Sequence, residues 1–208
     1  MLNRQNHSHS RGLTLIELAV TVSILGLLVL ATAPSIGEWL RNTQIRNVAT
    51  SIQSGLQRAR NEALRRNQPV RFSLVSLTDS AVMDNSCALA SAPSWVVSLN
   101  DPTGKCGVAA SDTTDPMIVE RSAGGIGGKN VGVAAITGAP TFNSATSIAF
   151  DGFGRVSGAV ATPLALIEVD DITAGANYRA LRVVISSGGS IRMCDPKVTN
   201  ANDPRKCI

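Results

Sequence analysis

The chain opens with a short polar segment, continues as a long apolar run and then becomes a mixed polar and apolar stretch. Residues 1–12 contain two arginines and no acidic residue. Between Leu13 and Leu30 nearly every side chain is apolar, and Glu17 is the single charge. A run of this length and hydropathy predicts a helix whose first half, residues 13–36, spans a membrane. Because positive charge before a span keeps that end cytoplasmic, we expect the remainder of the chain to face outward.

Residues 37–66 show a different periodicity, which predicts that the helix continues as an amphipathic segment. Apolar side chains recur at steps of three and four residues, at Ile45, Val48, Ile52, Leu56, Ala59 and Ala63. This spacing predicts one apolar stripe on an otherwise arginine-rich helix. We expect Glu62 to pair with Arg58 or Arg66, each four residues away. The helix should stop near Asn67, because the proline two residues later cannot extend it.

Short alternating segments follow, and they predict a β-rich head over residues 67–208. The predicted strands lie at 70–74, 95–99, 117–119, on both sides of an Asp-Gly turn within 147–156, and at 165–169, 181–186 and 190–193. The rest of residues 76–145 is predicted to be irregular, with a glycine-rich surface loop at 122–130. Asp170 and Asp171 are predicted to lie in a surface turn rather than in a metal site.

The cysteines add a prediction about disulfides. All four lie after the apolar run, and none has the spacing of a zinc or thioredoxin-like motif. An even number of cysteines in an exported domain favours disulfides, although four buried free thiols remain the alternative. Three pairings are possible. We prefer Cys87–Cys106 with Cys194–Cys207, because each of these pairs closes a local loop.

The histidines exclude several kinds of chemistry. Both of them, His7 and His9, lie within the first twelve residues. If that segment is removed, the mature chain has no histidine, and triad, Cys-His and His-ligated metal chemistry are excluded together. We therefore predict no enzymatic activity, no metal and no cofactor. The formal net charge of +4 permits contact with nucleic acid or anionic lipid without requiring it.

The run Arg11-Gly12-Leu13-Thr14-Leu15-Ile16-Glu17, with the apolar residues behind it, resembles the type IV pilin signature. The resemblance implies that a prepilin peptidase cuts the 1–12 leader after Gly12 and that Leu13 is then N-methylated. Glu17 would be the fifth mature residue, which in that family pairs with the N-terminus of a neighbouring subunit during filament assembly. Pro34 falls where many pilins have a helix-kinking proline. An ordinary signal peptide, cut after Ala31-Thr32-Ala33, is the alternative.

Two further stretches, residues 56–70 and 147–156, resemble the FimT/GspH branch of pilin-like proteins. The resemblance implies an α+β pilin fold in which a long N-terminal helix packs on an antiparallel β-sheet head. It also implies a minor pilin of a type IV pilus, anchored in the bacterial inner membrane with a periplasmic head and later part of the fibre. Its partners would be other pilins or pseudopilins. A minor pseudopilin of type II secretion is the alternative, and a signal-anchored periplasmic enzyme is an alternative from another class.

The C-terminal end raises the question of DNA binding. Some FimT-type minor pilins bind DNA for natural transformation through a Gly-Arg-x-Arg motif. Here Gly189-Ser190-Ile191-Arg192 retains Gly189 and Arg192 but has serine at the first arginine position. Lys197, Arg205 and Lys206 follow, and such cations could bind DNA phosphates in a salt-sensitive and largely sequence-independent way. DNA is therefore a candidate partner, and a solvated basic hairpin is the alternative.

Overall fold

The computed structural model describes residues 14–125, 129–138, 140, 142–173 and 178–207, with the side chains at positions 31–35 left out. One long helix, α1, spans Leu15–Arg66. Within the described residues nine strands follow: β1 (Val70–Ser76), β2 (Ala88–Leu89), β3 (Ser94–Ser98), β4 (Ile118–Ser122), β5 (Val131–Ile136), β6 (Ser147–Phe150), β7 (Leu166–Asp171), β8 (Leu181–Ile185) and β9 (Ile191–Cys194). The chain divides into two compact units, Met1–Trp39 and Leu40–Ile208. The second unit is called the head below.

The predicted membrane half, residues 13–36, belongs to the first unit and is helical from Leu15 onward. Among the residues that the structure describes, no helix combines the length and the apolar character needed to cross a membrane. Leu13 and the side chains at positions 31–35, including the predicted kink residue Pro34, lie outside the described residues. The predicted leader, residues 1–12, lies outside them as well.

The C-terminal end of α1 lies where the sequence predicts it. The helix ends at Arg66, and Asn67 has a φ of 52°, which is the left-handed conformation. Asparagine adopts this conformation more readily than most residues and commonly follows the last helical residue. Pro69 then prevents any further helical turn, so β1 starts directly at Val70.

Sheet A contains five strands, with β1 at its centre. Strand β1 pairs with β3 on one edge and with β6 and β2 on the other, so that Phe72 lies between Val97 and Ile148. Strand β4 then pairs with β3. All of these pairs are antiparallel. Because β1 is central, most of its side chains are buried on both faces of the sheet.

The outer face of sheet A is covered by the connection from β1 to β4, that is, by the segments 77–93 and 99–117 on either side of β3. Val75 and Val96 point into a second apolar cluster there, together with Ile118 and a disulfide between Cys87 and Cys106. The guanidinium of Arg121 donates hydrogen bonds to the carbonyls of residues 106 and 108 and so ties this connection to β4. The segment predicted to be irregular is therefore a packed layer.

Sheet B contains four antiparallel strands in the order β5-β7-β8-β9. All six residues of β5 pair with β7, in a register that sets Val133 opposite Val169. On the inner face the side chains of Ile167, Val183 and Ile185 are buried. The outer face carries the cross-strand ion pair Glu168–Arg182.

One hydrophobic core joins α1 to the inner faces of both sheets. The apolar stripe predicted on α1 is buried, with Ile45, Ile52 and Leu56 at 0% exposure. The helix lies close to sheet A at Gly55, where a Cβ would lie 2.8 Å from the Phe72 ring and 2.9 Å from Trp95. The predicted α+β fold, a long N-terminal helix on an antiparallel head, is confirmed, with the strands divided between two sheets.

The prediction was right in part about the charged pairs of α1 and wrong in several other details. Glu62 pairs with Arg66, one of its two predicted partners, and also with Arg65, whereas Arg58 pairs with Glu120 on β4. Tertiary packing turns Arg58 towards the sheet, which makes it unavailable to Glu62. Asp170 and Asp171 are the last residues of β7 rather than a surface turn. Strands β2 and β5 were missed, and the predicted strand after the Asp-Gly turn is reduced to an isolated bridge between residues 150 and 156.

Candidate functional site

The start of α1 is stabilised by a side-chain cap. Thr14 Oγ1 accepts a hydrogen bond from the backbone N–H of Glu17 at 3.3 Å, and Leu18 N donates to the Thr14 carbonyl at 3.1 Å. Thr14 and Glu17 have the spacing of a capping box, a signal that the sequence analysis did not use. Glu17 itself is exposed. Its carboxylate forms no ion pair with any of the described residues and is available to another molecule.

The large apolar side chains from Leu15 to Leu30 are all exposed, by 52% to 86%. The two hydroxyl side chains within this stretch are satisfied inside the helix. Thr21 Oγ1 donates to the Leu18 carbonyl at 2.9 Å, and Ser23 Oγ donates to the Ala19 carbonyl at 2.7 Å. The surface of this part of α1 is therefore apolar apart from Glu17 near its start, as expected for a surface that packs against lipid or other helices.

In the head, Arg60 joins α1 to two turns. Arg60 Nε donates a hydrogen bond to the Gly154 carbonyl at 2.9 Å. Gly189 lies against the same carbonyl, because a Cβ on it would come within 1.9 Å of the Gly154 oxygen. The φ of Gly189 is +79° and the residue is buried, so a side chain is excluded for two reasons. Gly189, which the sequence suggested as part of a DNA motif, thus occupies a packing position.

The other candidate DNA residues differ in what they contact. Arg192 on β9 is exposed, and neither it nor Lys206 forms an ion pair with a described residue. Lys197 Nζ donates a hydrogen bond to the Tyr178 carbonyl at 2.8 Å. Arg205 is already paired with Asp203 at 2.7 Å. Hydrogen bonds from Arg205 lower the pKa of Asp203 to about 2, so this pair stays charged at neutral pH.

The C-terminal tail is held at the end of β9 by a disulfide between Cys194 and Cys207, which completes the pairing preferred from the sequence. Asp195 organises the loop that this disulfide closes. Its carboxylate accepts a hydrogen bond from Lys197 N at 2.9 Å, and its own N–H donates to the Arg205 carbonyl at 2.7 Å. The sequence analysis missed Asp195, although Asp-Pro directly after a cysteine is a turn signal.

A buried carboxylate on α1 belongs to the structure of the head rather than to an active site. Glu62 is 4% exposed and accepts hydrogen bonds from Arg65 and Arg66, the second of which also contacts Asp112. The hydrogen bonds from Arg65 and Arg66 outweigh burial and lower the pKa of Glu62 from 4.5 to about 2. Within the described part of the chain, no group of His, Cys, Asp and Glu side chains could hold a metal ion.

Comparison with solved structures finds two that are similar to the chain. Two crystal structures of the type IV minor pilin FimU from Pseudomonas aeruginosa (strain PAO1) are similar at 14% identity. One has a TM-score of 0.44 and covers 76% of this chain and 96% of FimU, and the other has 0.42 with 74% and 99%. No curated protein sequence matches the chain.

Two family models match. The model described as "Prokaryotic N-terminal methylation motif" matches residues 7–33, and the model described as "Type II transport protein GspH" matches residues 48–189. The second match covers more than half of the chain and includes sheet A and strands β5, β7 and β8 of sheet B. The chain therefore belongs to the GspH family of type IV pilin-like minor subunits.

Proposed function

We propose that the chain is a minor pilin of FimT type, a structural subunit that takes part in the assembly of a type IV pilus. A precursor anchored in the bacterial inner membrane by residues 13–36, with its head in the periplasm, is cut after Gly12 by a prepilin peptidase and methylated on Leu13. The subunit then enters the fibre beside other pilins. The observation that carries this proposal is the exposed apolar surface from Leu15 to Leu30, which coincides with the methylation-motif match.

In this proposal Glu17 is the assembly residue. The new N-terminus at Leu13 carries a positive charge, and a carboxylate in an apolar filament interior needs such a partner. The described residues of its own chain offer Glu17 no cation. The positive N-terminus of a neighbouring subunit would therefore complete the pair, and charge pairing in a low dielectric would fix the register of the two helices.

The test combines mass spectrometry with a filament-incorporation assay. We expect the membrane-extracted protein to begin at methylated Leu13, and we expect Glu17→Ala to reduce incorporation into fibres strongly. Glu38→Ala is the matched control, because Glu38 is an exposed carboxylate on the same helix. A chain that begins after Ala33, or equal incorporation of the Glu17→Ala variant and wild type, would contradict the proposal.

A second candidate is a minor pseudopilin of type II secretion, which the description of the matching family model favours. The architecture suits both machines equally, so the distinction requires a phenotype. Deletion of the gene should abolish pili or transformation if the subunit belongs to a pilus. Loss of exoprotein secretion with normal pili would favour the pseudopilin instead.

We further propose that the pilus subunit contacts DNA through Arg192 and Lys206. Both are cations without a carboxylate partner among the described residues, whereas Arg205 is neutralised by Asp203. The disulfide-closed tail would present them to duplex phosphates, since the chain offers few aromatic side chains for stacking bases.

A gel shift of the full chain in detergent, repeated at several salt concentrations, tests the DNA contact. Arg192→Gln with Lys206→Gln should weaken binding and reduce the salt slope by about 2, since each phosphate contact contributes roughly one unit. Arg58→Gln with Arg155→Gln removes the same charge from two exposed cations elsewhere and should change binding less. Equal effects of the two double variants would remove the C-terminal contact from consideration.

A further inference from the structure

Two loops of the head meet the first turns of its part of α1. Arg179, just before β8, donates its backbone N–H to Asn42 Oδ1 at 2.8 Å. Lys197, in the disulfide-closed tail, donates a hydrogen bond from Nζ to the carbonyl of Tyr178 at 2.8 Å. Tyr178 is the residue directly before Arg179. Three segments that are distant in sequence therefore bring their cations to the end of the head at which the chain enters it.

At this end the acidic side chains are more deeply buried than the basic side chains that pair with them. Asp171 is 2% exposed, whereas its partner Arg41, at 3.8 Å, is 33% exposed. Asp195 is 10% exposed, whereas its partner Arg179, at 3.9 Å, is 65% exposed. The negative charge of each pair thus lies deeper than the positive charge, although one guanidinium nitrogen of Arg41, Nη1, is buried as well. Solvent at this end of the head meets a positive surface even though two of the cations have partners.

Two neighbouring features strengthen and locate this surface. Arg46 follows Asn42 by one helical turn, is exposed and has no ion pair among the described residues. Directly before Arg41 in the chain, the apolar side chains of Ile36, Trp39 and Leu40 are exposed, by 53%, 65% and 49%. Tryptophan is enriched at the boundary between membrane and water, and an arginine near the end of a membrane helix can reach the headgroups.

We propose that Arg41, Arg46, Arg179 and Lys197 form a basic collar that binds the anionic headgroups of a lipid bilayer and holds the head on the membrane surface. The inference rests on the proposed function, because it requires a subunit anchored through its N-terminal helix. Lipid is favoured over nucleic acid because Arg41 directly follows the exposed apolar residues Trp39 and Leu40 in the chain. The proposed anchoring by residues 13–36 would also raise the effective concentration of the headgroups around the collar.

The test uses the full chain in lipid nanodiscs of two compositions. One disc contains phosphatidylcholine alone, and the other contains about 30 mol% phosphatidylglycerol, which gives its surface a negative potential. Hydrogen–deuterium exchange is followed in residues 195–204 of the disulfide-closed tail, which contain the collar residue Lys197. Residues 101–115, a loop of the head that contains no collar residue, serve as the internal reference for folding.

We expect exchange in residues 195–204 to be about tenfold slower in the anionic disc than in the neutral disc at low salt, and the difference to disappear at high salt. Arg46→Gln with Arg179→Gln should abolish the difference. Arg58→Gln with Arg155→Gln, which removes equal charge from exposed residues outside the collar, should preserve it. Exchange in residues 101–115 should be the same in all samples.

The failures of the two proposals can be distinguished. A chain that elutes apart from both kinds of disc would overturn the membrane anchoring in the proposed function and the collar with it. A chain that elutes with both discs and exchanges equally in them would overturn the collar alone. Loss of DNA binding by Arg46→Gln with Arg179→Gln, with unchanged exchange in the discs, would assign the surface to nucleic acid and overturn the lipid proposal.

Discussion

The two parts of α1 use the same secondary structure in opposite ways. Between Leu15 and Leu30 the large apolar side chains occur on every side of the helix and are all more than half exposed. Within the head the apolar side chains form one stripe, from Ile45 to Ala63, and that stripe is buried. The comparison teaches that one helix can carry two separate functions, because the angular distribution of its apolar residues decides what it packs against.

The largest expected effect on the free energy of unfolding distinguishes the two parts of α1. Leu56→Ala should lower the free energy of unfolding of the head by about 2–5 kcal/mol, because it leaves a cavity in a fully buried site. Leu25→Ala, at a side chain that is 61% exposed, should change it by less than about 0.5 kcal/mol. Urea unfolding of the full chain in detergent, followed by the fluorescence of the buried Trp95, measures both. Similar losses for the two variants would contradict the comparison.

The next effect concerns the contact between α1 and the turns of the head. Gly189→Ala should destabilise the head by about 1–3 kcal/mol, because it adds a clash with the Gly154 carbonyl at a positive φ. Gly188→Ala is the matched control, since the nearest atom to its Cβ would be 3.9 Å away. The same urea titration measures the two variants. If Gly189→Ala left the free energy of unfolding unchanged, the two turns would be able to move apart without loss of stability.

Glu62 and Glu17 extend the comparison to charge. Glu62→Gln should cost about 1–3 kcal/mol at neutral pH, because it breaks hydrogen bonds of a buried carboxylate to two arginines. The folded-state pKa of Glu62, about 2, lies below its ordinary value of 4.5. The stabilisation is therefore complete above pH 4.5 and is lost as the pH falls through 2.

The stability difference between wild type and Glu62→Gln should accordingly shrink as the pH is lowered from 5 towards 2. Glu17→Gln should leave the stability of the head unchanged at every pH, because Glu17 belongs to the first unit and not to the head. Urea midpoints measured across this pH range test both expectations. A constant difference for the Glu62 variant would mean that its carboxylate is not held in the charged form by the arginines.

The smallest effect is expected at the rim between α1 and sheet A. Arg58 and Glu120 form an ion pair at 3.2 Å, and each side chain is about half exposed. Arg58→Gln should cost no more than about 1 kcal/mol, and less at high salt, because solvent screens such pairs. Thermal unfolding at two salt concentrations would measure this. A cost as large as that of Glu62→Gln would show that the pair is stronger than its exposure suggests.

The elements that were predicted correctly are those whose signal is local. The end of α1 follows from Asn67 and Pro69, and the buried stripe follows from its three- and four-residue spacing. Strand β5 was missed because Gly132 and two alanines give it low strand propensity, while pairing along its full length with β7 stabilises it regardless. The burial of Asp171 was missed for a similar reason, since its partner Arg41 lies 130 positions earlier in the chain.

The candidate sites also divide into those with a local sequence signal and those that depend on long-range contacts. Glu17 and the proposed cleavage residues Gly12 and Leu13 belong to a contiguous motif that can be recognised without a structure. The collar and the packing role of Gly189 depend on residues from separate elements, which only folding brings together.

The order of residues by itself determined the long helix, its apolar and amphipathic parts, and the membership of the chain in a pilin-like class, because periodicity and a short motif are properties of neighbouring residues. Only the tertiary structure decided which cations remain unpaired and which acids are buried. Charge pairing and burial depend on distances between residues far apart in the chain, and the packing of α1 against both sheets sets those distances.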